Sequence, residues 1–337
     1  MSVVKNQHFV PQSYLRNFGY LKKKKETSEI WYTHVKFPKG KTHPTNIENL
    51  CNKRFLYDVE NFDLPEKQII EKFYGESIDA YFPLITKFCE DGKQQDLSPE
   101  MRELIVTCSL SLIFRHPRFI NKNPEFNDHD IIIEKDNKQI NYSKIKRVSA
   151  HLENFKRLVD LRMNDGIAVS FCGLKTEFIT NDNPVLITNT SFKLESHFDP
   201  SNMLYLPLSP KICITFTPSN DPELKGTFQK TLMSKDQVYL INQRIEDQSE
   251  RTLIGTKSGL DNFFEEKEFY SEEKNGLEYE KRAKNHLKIA EQTLEYAKSA
   301  TPEELEKYIE KKIKEDPSLK ENIAYMQHYI RIKFRKK

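Results

Sequence analysis

Glycine is scarce in this chain, with 10 among 337 residues. The stretch most like a nucleotide loop, Lys39-Gly40-Lys41-Thr42-His43-Pro44, holds a single glycine and lacks the spacing of a phosphate cradle, so it reads as a plain loop. The 5 cysteines, Cys51, Cys89, Cys108, Cys172 and Cys213, stand far apart with no CxxC or CxxH pair, which argues against a zinc knuckle. Cys108 and Cys213 fall inside apolar runs and read as small core residues. Their odd count, with no signal peptide, points to a reducing, cytoplasmic setting. No apolar run approaches the ~20 residues that cross a bilayer, so no membrane partner is expected. An excess of one charge is missing too: 53 Lys and Arg face 50 acids, a net charge of +3, and any polyanion site must come from local clustering. There is no GxSxG elbow and no Cys–His pairing for nucleophilic catalysis. Nor is an HNH or PD-(D/E)xK nuclease pattern legible.

Aromatic bulk is present instead. Only 37% of the residues are hydrophobic and 31% are charged, yet 22 Phe and 15 Tyr can fill a core with few side chains. The length suits one large domain with an appendage, or two ordinary domains. Hydrophobic periodicity divides the chain into a body over 1–270 and a charged helical tail over 271–337. The expected fold class is α+β (mixed), with helices packed on a small, mostly antiparallel sheet and a C-terminal helical appendage.

The densest stretch is Gln7-His8-Phe9-Val10-Pro11-Gln12-Ser13-Tyr14-Leu15-Arg16-Asn17-Phe18. Pro11 suits a first helical turn, and Tyr14, Leu15 and Phe18 fall at helical spacing. Lys22–Lys25 reads as a solvated turn. Glu29–Val35 is rich in strand formers, with Phe55–Asp58 as a short strand beside it. From Pro65 to Phe88 a helical stripe of Ile69, Phe73, Ala80, Leu84 and Phe88 includes Glu76. A carboxylate on a buried face needs a cation. Pro83 would bend or break that helix.

Ser98, Pro99 and Glu100 are strong helix-start signals. The stripe Met101, Leu104, Ile105, Cys108 and Leu112 continues to Arg115, and His116-Pro117 stops the helix. Arg115 is then an inward guanidinium beside His116 and Arg118, an anion site or a partner for Glu76. After a helix over 143–163 come strands at Ile167–Cys172, Glu177–Thr180, Met203–Pro210 and Lys211–Thr217, a helix over 234–249 and a strand at Thr252–Gly255. Asn181-Asp182-Asn183-Pro184 at a strand end is either a turn or a site in which Asp182 binds a cation, orients a histidine or accepts a proton. In the tail, Ala283, Leu287, Ala290, Leu294 and Ala297 form a narrow seam that must bury against something. Thr301 and Pro317 start further helices. The end, Tyr329–Lys337, interleaves basic and apolar residues.

The opening dodecamer, Phe55-Leu56-Tyr57, Glu76, Arg115-His116-Pro117, Phe178–Val185 and Leu206-Pro207-Leu208-Ser209-Pro210 together resemble the uncharacterised bacterial domain-of-unknown-function family 4238, over about residues 5 to 255. Asn181 departs from the serine common at that place. The resemblance groups these residues and leaves the chemistry open.

The residues least explained by folding point to a nucleic-acid-cleaving effector, of the kind used in bacterial defence or toxin systems. In that reading the catalytic set is His8, Glu76, Arg115 and Asp182. His8 is the general acid or base, and Arg115 with Arg16 stabilises phosphoryl charge. Asp182, with or without Glu76, orients His8 or holds a magnesium ion. Gln7, Gln12, Arg16, Asn17, His116, Arg118, Asn181 and Asn183 are the substrate-binding candidates, and RNA or DNA is the partner. The alternative is a non-catalytic ligand-binding or sensor module that assembles, as a homo-oligomer or with a protein partner, through 271–337.

Overall fold

The computed structural model describes residues 4–21, 28–36, 41–58, 66–91, 96–117, 132–135, 138–173, 176–188, 199–219, 224–271, part of 281–300 and 301–316, with backbone only over 132–149. The Lys22–Lys25 run, Gly40, Arg118, the seam alanines and leucines of the tail, Pro317 and the 329–337 end lie outside the described residues.

Short elements dominate the first third. Strand β1 (Asn6–His8) runs into helix α1 (Gln12–Leu15) and a 3₁₀ turn (Arg16–Phe18), followed by β2 (Tyr20–Leu21), β3 (Ser28–His34), β4 (His43–Asn46) and β5 (Asn52–Arg54). Tyr14, Leu15 and Phe18 are buried, as their spacing predicts. The expected strand at Phe55–Asp58 is displaced: β5 ends at Arg54 and pairs with β1, while β4 takes the place beside β3. The reason is backbone conformation. Phe55 lies at φ 51° and Cys51 at φ 52°, so left-handed residues bracket β5 and the chain cannot continue extended.

The expected single helix over 65–88 is two. Helix α2 (Ile69–Ser77) ends where Ile78 leaves helical geometry at φ −131°, a 3₁₀ turn (Asp79–Tyr81) follows, and α3 (Phe82–Glu90) restarts with Pro83 in its first turn. The buried face is Ile70, Tyr74, Ile78, Phe82, Ile85 and Cys89. Ile69 and Leu84, expected inside, are 54% and 46% exposed. Glu76 stands two residues beyond Tyr74, nearly opposite it on the helix, and is exposed.

Helix α4 (Pro99–Arg115) begins where the sequence signals it, Ser98 Oγ accepting the Met101 N–H at 3.2 Å. A hairpin β6 (Ile132–Lys135) and β7 (Lys138–Asn141) precedes α5 (Tyr142–Arg162). Then come β8 (Gly166–Phe171), β9 (Thr180–Asn181), β10 (Leu186–Thr188), β11 (Met203–Ser209), β12 (Ile212–Thr217) and β13 (Phe228–Leu232). Helix α6 (Lys235–Gln248), β14 (Thr252–Gly255), α7 (Lys257–Ser271) and the tail helix α8 (Pro302–Glu315) complete the described elements. Capping boxes Ser234/Gln237 and Thr301/Glu304 open α6 and α8.

The main sheet has the order β10-β11-β12-β8-β13, antiparallel except for the parallel pair β13–β8. Alternation along its strands builds two cores. Leu204, Leu206, Leu208, Ile212, Ile214 and Phe216 face the one that holds Tyr14, Phe18, Tyr74 and the apolar side of α4. Tyr205 and Cys213 face a second, with Val238 and Ile241 of α6 and Leu260 and Phe263 of α7. A second sheet has the order β2-β3-β14-β9 with β4 on β3, and β1 and β5 form a separate two-stranded ribbon. The fold is α+β with mostly antiparallel pairing.

Candidate functional site

Alternation along β1 turns Gln7 and His8 to opposite sides. Gln7 is fully buried: its Nε2 donates to Asp58 Oδ1 at 2.5 Å, and its Oε1 accepts the Tyr57 N–H at 2.6 Å. Gln68 Nε2 donates to the same Asp58 oxygen at 2.9 Å. Gln7 therefore braces the ribbon and is not placed to read a substrate.

His8 faces outward and is half-buried. Its imidazole is hydrogen-bonded to the backbone carbonyl of Glu48, and its Nε2 lies 3.4 Å from Gln12 Nε2. The two contacts agree if Nδ1 carries the proton given to Glu48 and Nε2 accepts from the Gln12 amide. Burial lowers the imidazole's pKa from its ordinary value and Arg115 adds to that, while Glu48 and Asp79 oppose it. Neutral imidazole is the form that accepts a proton, and its Nε2 lone pair here faces the Gln12 amide.

Arg115 holds the His8 backbone rather than a ligand. At 1% exposure it is among the largest fully buried side chains. Both its terminal nitrogens donate to Asp79, Nη2 also donates to the His8 carbonyl at 2.9 Å, and the guanidinium lies 4.5 Å from the centre of the Tyr74 ring. The expected partner, Glu76, is replaced by Asp79, because the helix break at Ile78 swings position 79 inward. Burial works against the Arg115 charge, but Asp79 and the Tyr57 and Tyr74 hydroxyls more than offset it, so its pKa is raised. Tyr57 OH donates to the Arg115 carbonyl at 2.9 Å, and Tyr74 OH meets His151 Nε2 at 2.7 Å. Glu71 lies close enough to Arg115, Asp79 and Asp58 to sense their charges, and burial pushes its carboxyl up to about 7. Arg115 Nε and Glu71 Oε2 are buried atoms with no hydrogen-bond partner among the described residues.

Asp182 is likewise committed to the chain. Its Oδ1 accepts the Glu250 N–H at 3.0 Å and its Oδ2 the N–H groups of Arg251 at 2.8 Å and Thr252 at 3.2 Å. Burial raises its pKa, and the Glu250 and Arg251 N–H groups, His116 and Ser249 pull it back. Its lone pairs are turned to the loop before β14, so it closes that loop instead of presenting a metal ligand. Among the described residues no group of three or more His, Cys, Asp or Glu side chains is arranged to hold a metal ion. His116 is buried, packed edge-on against Phe9 at 5.5 Å and 3.8 Å from Glu250 Oε2.

The remaining candidates divide in the same way. Asn17 Nδ2 ties the 3₁₀ turn to Thr86 Oγ1 and to the Leu208 carbonyl, both at 2.9 Å. Asn181 donates to the Ile245 carbonyl at 2.6 Å and accepts the Asn183 N–H at 2.8 Å, while Gln248 holds the Asn183 carbonyl at 2.6 Å. Gln12 and the exposed Arg16 remain at the surface, joined at 3.3 Å. The structure thus brings His8, Gln12, Arg16 and Arg115 together, and links His116 to Asp182. It leaves Glu76 apart. Sequence reasoning missed Asp79, Tyr74, Glu71, His151 and Glu48. The spacing of Ile70, Tyr74 and Ile78 carried the signal for the first two. Two open clefts along α7, of about 580 and 670 Å³, are lined by residues such as Trp31, Lys257, Glu265 and Phe269, and none of the sequence-chosen residues lines either.

These contacts join motifs far apart in the chain: the opening dodecamer, Arg115-His116, the Thr180–Asn183 run and Pro207-Leu208. A family model described as protein of unknown function (DUF4238) matches residues 6–259. The chain belongs to that family. The DUF4238 match spans β1 through the start of α7 and leaves the tail helix α8 outside it. No curated protein and no solved structure matches the chain.

Proposed function

We propose that this DUF4238 chain hydrolyses phosphodiester bonds in nucleic acid, with His8 as the general base. The observation that carries this is the state of His8: half-buried, its pKa lowered, its ring held by Glu48 and its main chain by the Arg115–Asp79 pair. A base held neutral and aimed by packed neighbours contributes typically 10²–10⁴-fold. With the Gln12 amide turned away, His8 Nε2 takes the proton from an attacking water or ribose hydroxyl, the oxygen attacks phosphorus, the bond to the leaving oxygen breaks, and that oxygen takes up a proton from the imidazolium or from solvent. Exposed Arg16 and Arg54 supply charge to the phosphate. Arg115 acts through His8 as a positioning residue, which revises its expected role as the phosphate contact. Such an activity suits a defence or toxin effector.

A second reading rests on the commitment of Asp182 and of both terminal nitrogens of Arg115 to the chain's own groups. On that reading the family motifs build a scaffold for a non-catalytic binding module.

The test incubates the purified chain with labelled RNA and DNA, with and without Mg²⁺ or Mn²⁺, beside His8→Ala and Glu76→Gln. Cleavage that His8→Ala abolishes and Glu76→Gln spares supports the hydrolytic reading. The rate should then fall on acidification only below the ordinary imidazole pKa of about 6.5. Cleavage that survives in His8→Ala, or none in any condition, removes the reading and leaves the binding module.

A further inference from the structure

Among the described residues, Cys51 and Phe55 are the non-glycine residues with positive φ, and they bracket the three residues of β5. Backbone held in that region clusters at sites where it aims a side chain. The side chain aimed here is the Phe55 ring. It is half-buried, with the Arg54 guanidinium 5.0 Å and the Lys67 ammonium 5.9 Å from its centre. Lys5, Lys53 and Arg54 are exposed around it, and the Lys5 carbonyl accepts the Phe55 N–H at 2.9 Å. The net charge of +3 hides this local cluster.

Register connects the cluster to His8. His8 pairs with Asn52 and Asn6 with Arg54, so these four side chains share one face of the antiparallel ribbon. Arg54 stands two residues along β5 from the His8 pair, about 7 Å. Asn52 Nδ2 donates to the Glu48 carbonyl at 2.7 Å, the same carbonyl that holds the His8 ring. Glu48 also brings a carboxylate to that end of the ribbon, whereas Lys5, Lys53, Arg54 and Lys67 occupy the other. Arg54 therefore shares the face of His8, whereas Lys53, paired with Gln7, lies on the opposite face of the ribbon.

We infer that the end of the β1–β5 ribbon is a docking surface for single-stranded nucleic acid, in which Phe55 stacks on a base, Lys5, Lys53 and Arg54 meet phosphates, and Arg54 leads the strand onto the face of His8. Single strands are indicated because stacking on a protein ring needs a base face that a duplex keeps inside its own stack. The inference rests on the hydrolytic reading only for the direction of the strand; the surface is argued from β5 itself.

The test measures anisotropy of short labelled single-stranded RNA, single-stranded DNA and duplex DNA with the full-length His8→Ala chain, so that cleavage cannot intrude. Single strands should bind more tightly than duplex. Phe55→Gly, which removes the ring at a backbone conformation that glycine adopts freely, should weaken single-strand binding roughly ten-fold, and Phe55→Trp should retain it. Lys53→Gln and Arg54→Gln should each lower the salt slope of binding by about 0.7. Equal affinity for duplex, no single-strand binding, or an unchanged Phe55→Gly overturns the inference. Binding without cleavage by the wild-type chain upholds this surface and removes the hydrolytic reading. Hydrolysis of a small phosphodiester without strand binding does the reverse.

Discussion

The Tyr14 hydroxyl lies 2.7 Å from Thr180 Oγ1 and donates to the Pro207 carbonyl at 2.6 Å. Three family motifs thus meet at one fully buried oxygen. Asn17 repeats the link one helical turn later through the Leu208 carbonyl. The opening dodecamer fastens the helices around α3 to both sheets, and His8 inherits its position from that fastening.

Tyr14→Phe keeps the ring and deletes the oxygen, leaving the Pro207 carbonyl unsatisfied in the core. A loss of about 1–3 kcal/mol is expected in urea denaturation, with the fold retained. An unchanged midpoint would mean that the hydroxyl contact contributes nothing.

The helix break at Ile78 assigns Arg115 to Asp79. Asp79→Ala strands a buried guanidinium and should cost about 3–5 kcal/mol. Glu76→Gln, on the exposed face, should stay within about 0.5 kcal/mol. Equal effects in thermal melts would restore the reading in which Glu76 is the partner.

Two groups near Arg115 titrate in opposite senses. The Glu71 carboxyl is raised from 4.5 to about 7, chiefly by burial, so its contribution favours the fold at low pH and is lost as pH rises through about 7. The His151 imidazole is lowered from 6.5 to about 4, again by burial and then by Arg115, so its contribution is present above 6.5 and is lost as pH falls through about 4. The two offset each other across the weakly acidic range. Glu71→Gln should be more stable than wild type at pH ~7.5, with the gain disappearing near pH ~4.5, as stability curves at the two pH values will show. A difference that does not change with pH would remove Glu71 from this role.

Asp182→Asn puts an amide where both oxygens accepted backbone N–H groups. The loop before β14 should loosen locally, at a cost of about 1–3 kcal/mol. Amide exchange at Glu250, Arg251 and Thr252 should quicken while that of α4 stays slow. Unaltered exchange at those three amides would argue against the closing role.

What could be read from the sequence was what local rules determine. Ser98-Pro99, Ser234 with Gln237 and Thr301 with Glu304 start helices by their own side chains. The alternation in Met203–Ser209 and Ile212–Thr217 made an antiparallel pair with Pro210 in its turn. What could not be read depends on distant partners. Residues 69–90 supply apolar side chains to two neighbouring stripes, and Tyr74 is drawn into the core by His151 and Arg115. That choice exposes Glu76 and turns Asp79 inward. The left-handed Phe55 was hidden for a related reason, since its residue type favours a strand and only the β1 pairing and the Lys5 carbonyl fix it otherwise. Of the site candidates, Arg115 and Asp182 hold the framework, Glu76 stands apart on the exposed face, and His8 remains partly open to the surface.

The span between Tyr14 and Pro207 is 193 residues. At a synthesis rate of roughly 5–20 residues per second, the dodecamer leaves the ribosome about 10–40 s before the carbonyl it must cap. Through that interval Tyr14, Leu15 and Phe18 can meet the helices around Phe82 but not the sheet face of Leu204, Leu206 and Leu208, so the segment is made well before its final contacts exist. A nascent chain halted before residue 207 should keep residues 7–18 more open to a protease or a chaperone, and should close over them fully only once the sheet behind Pro207 is made.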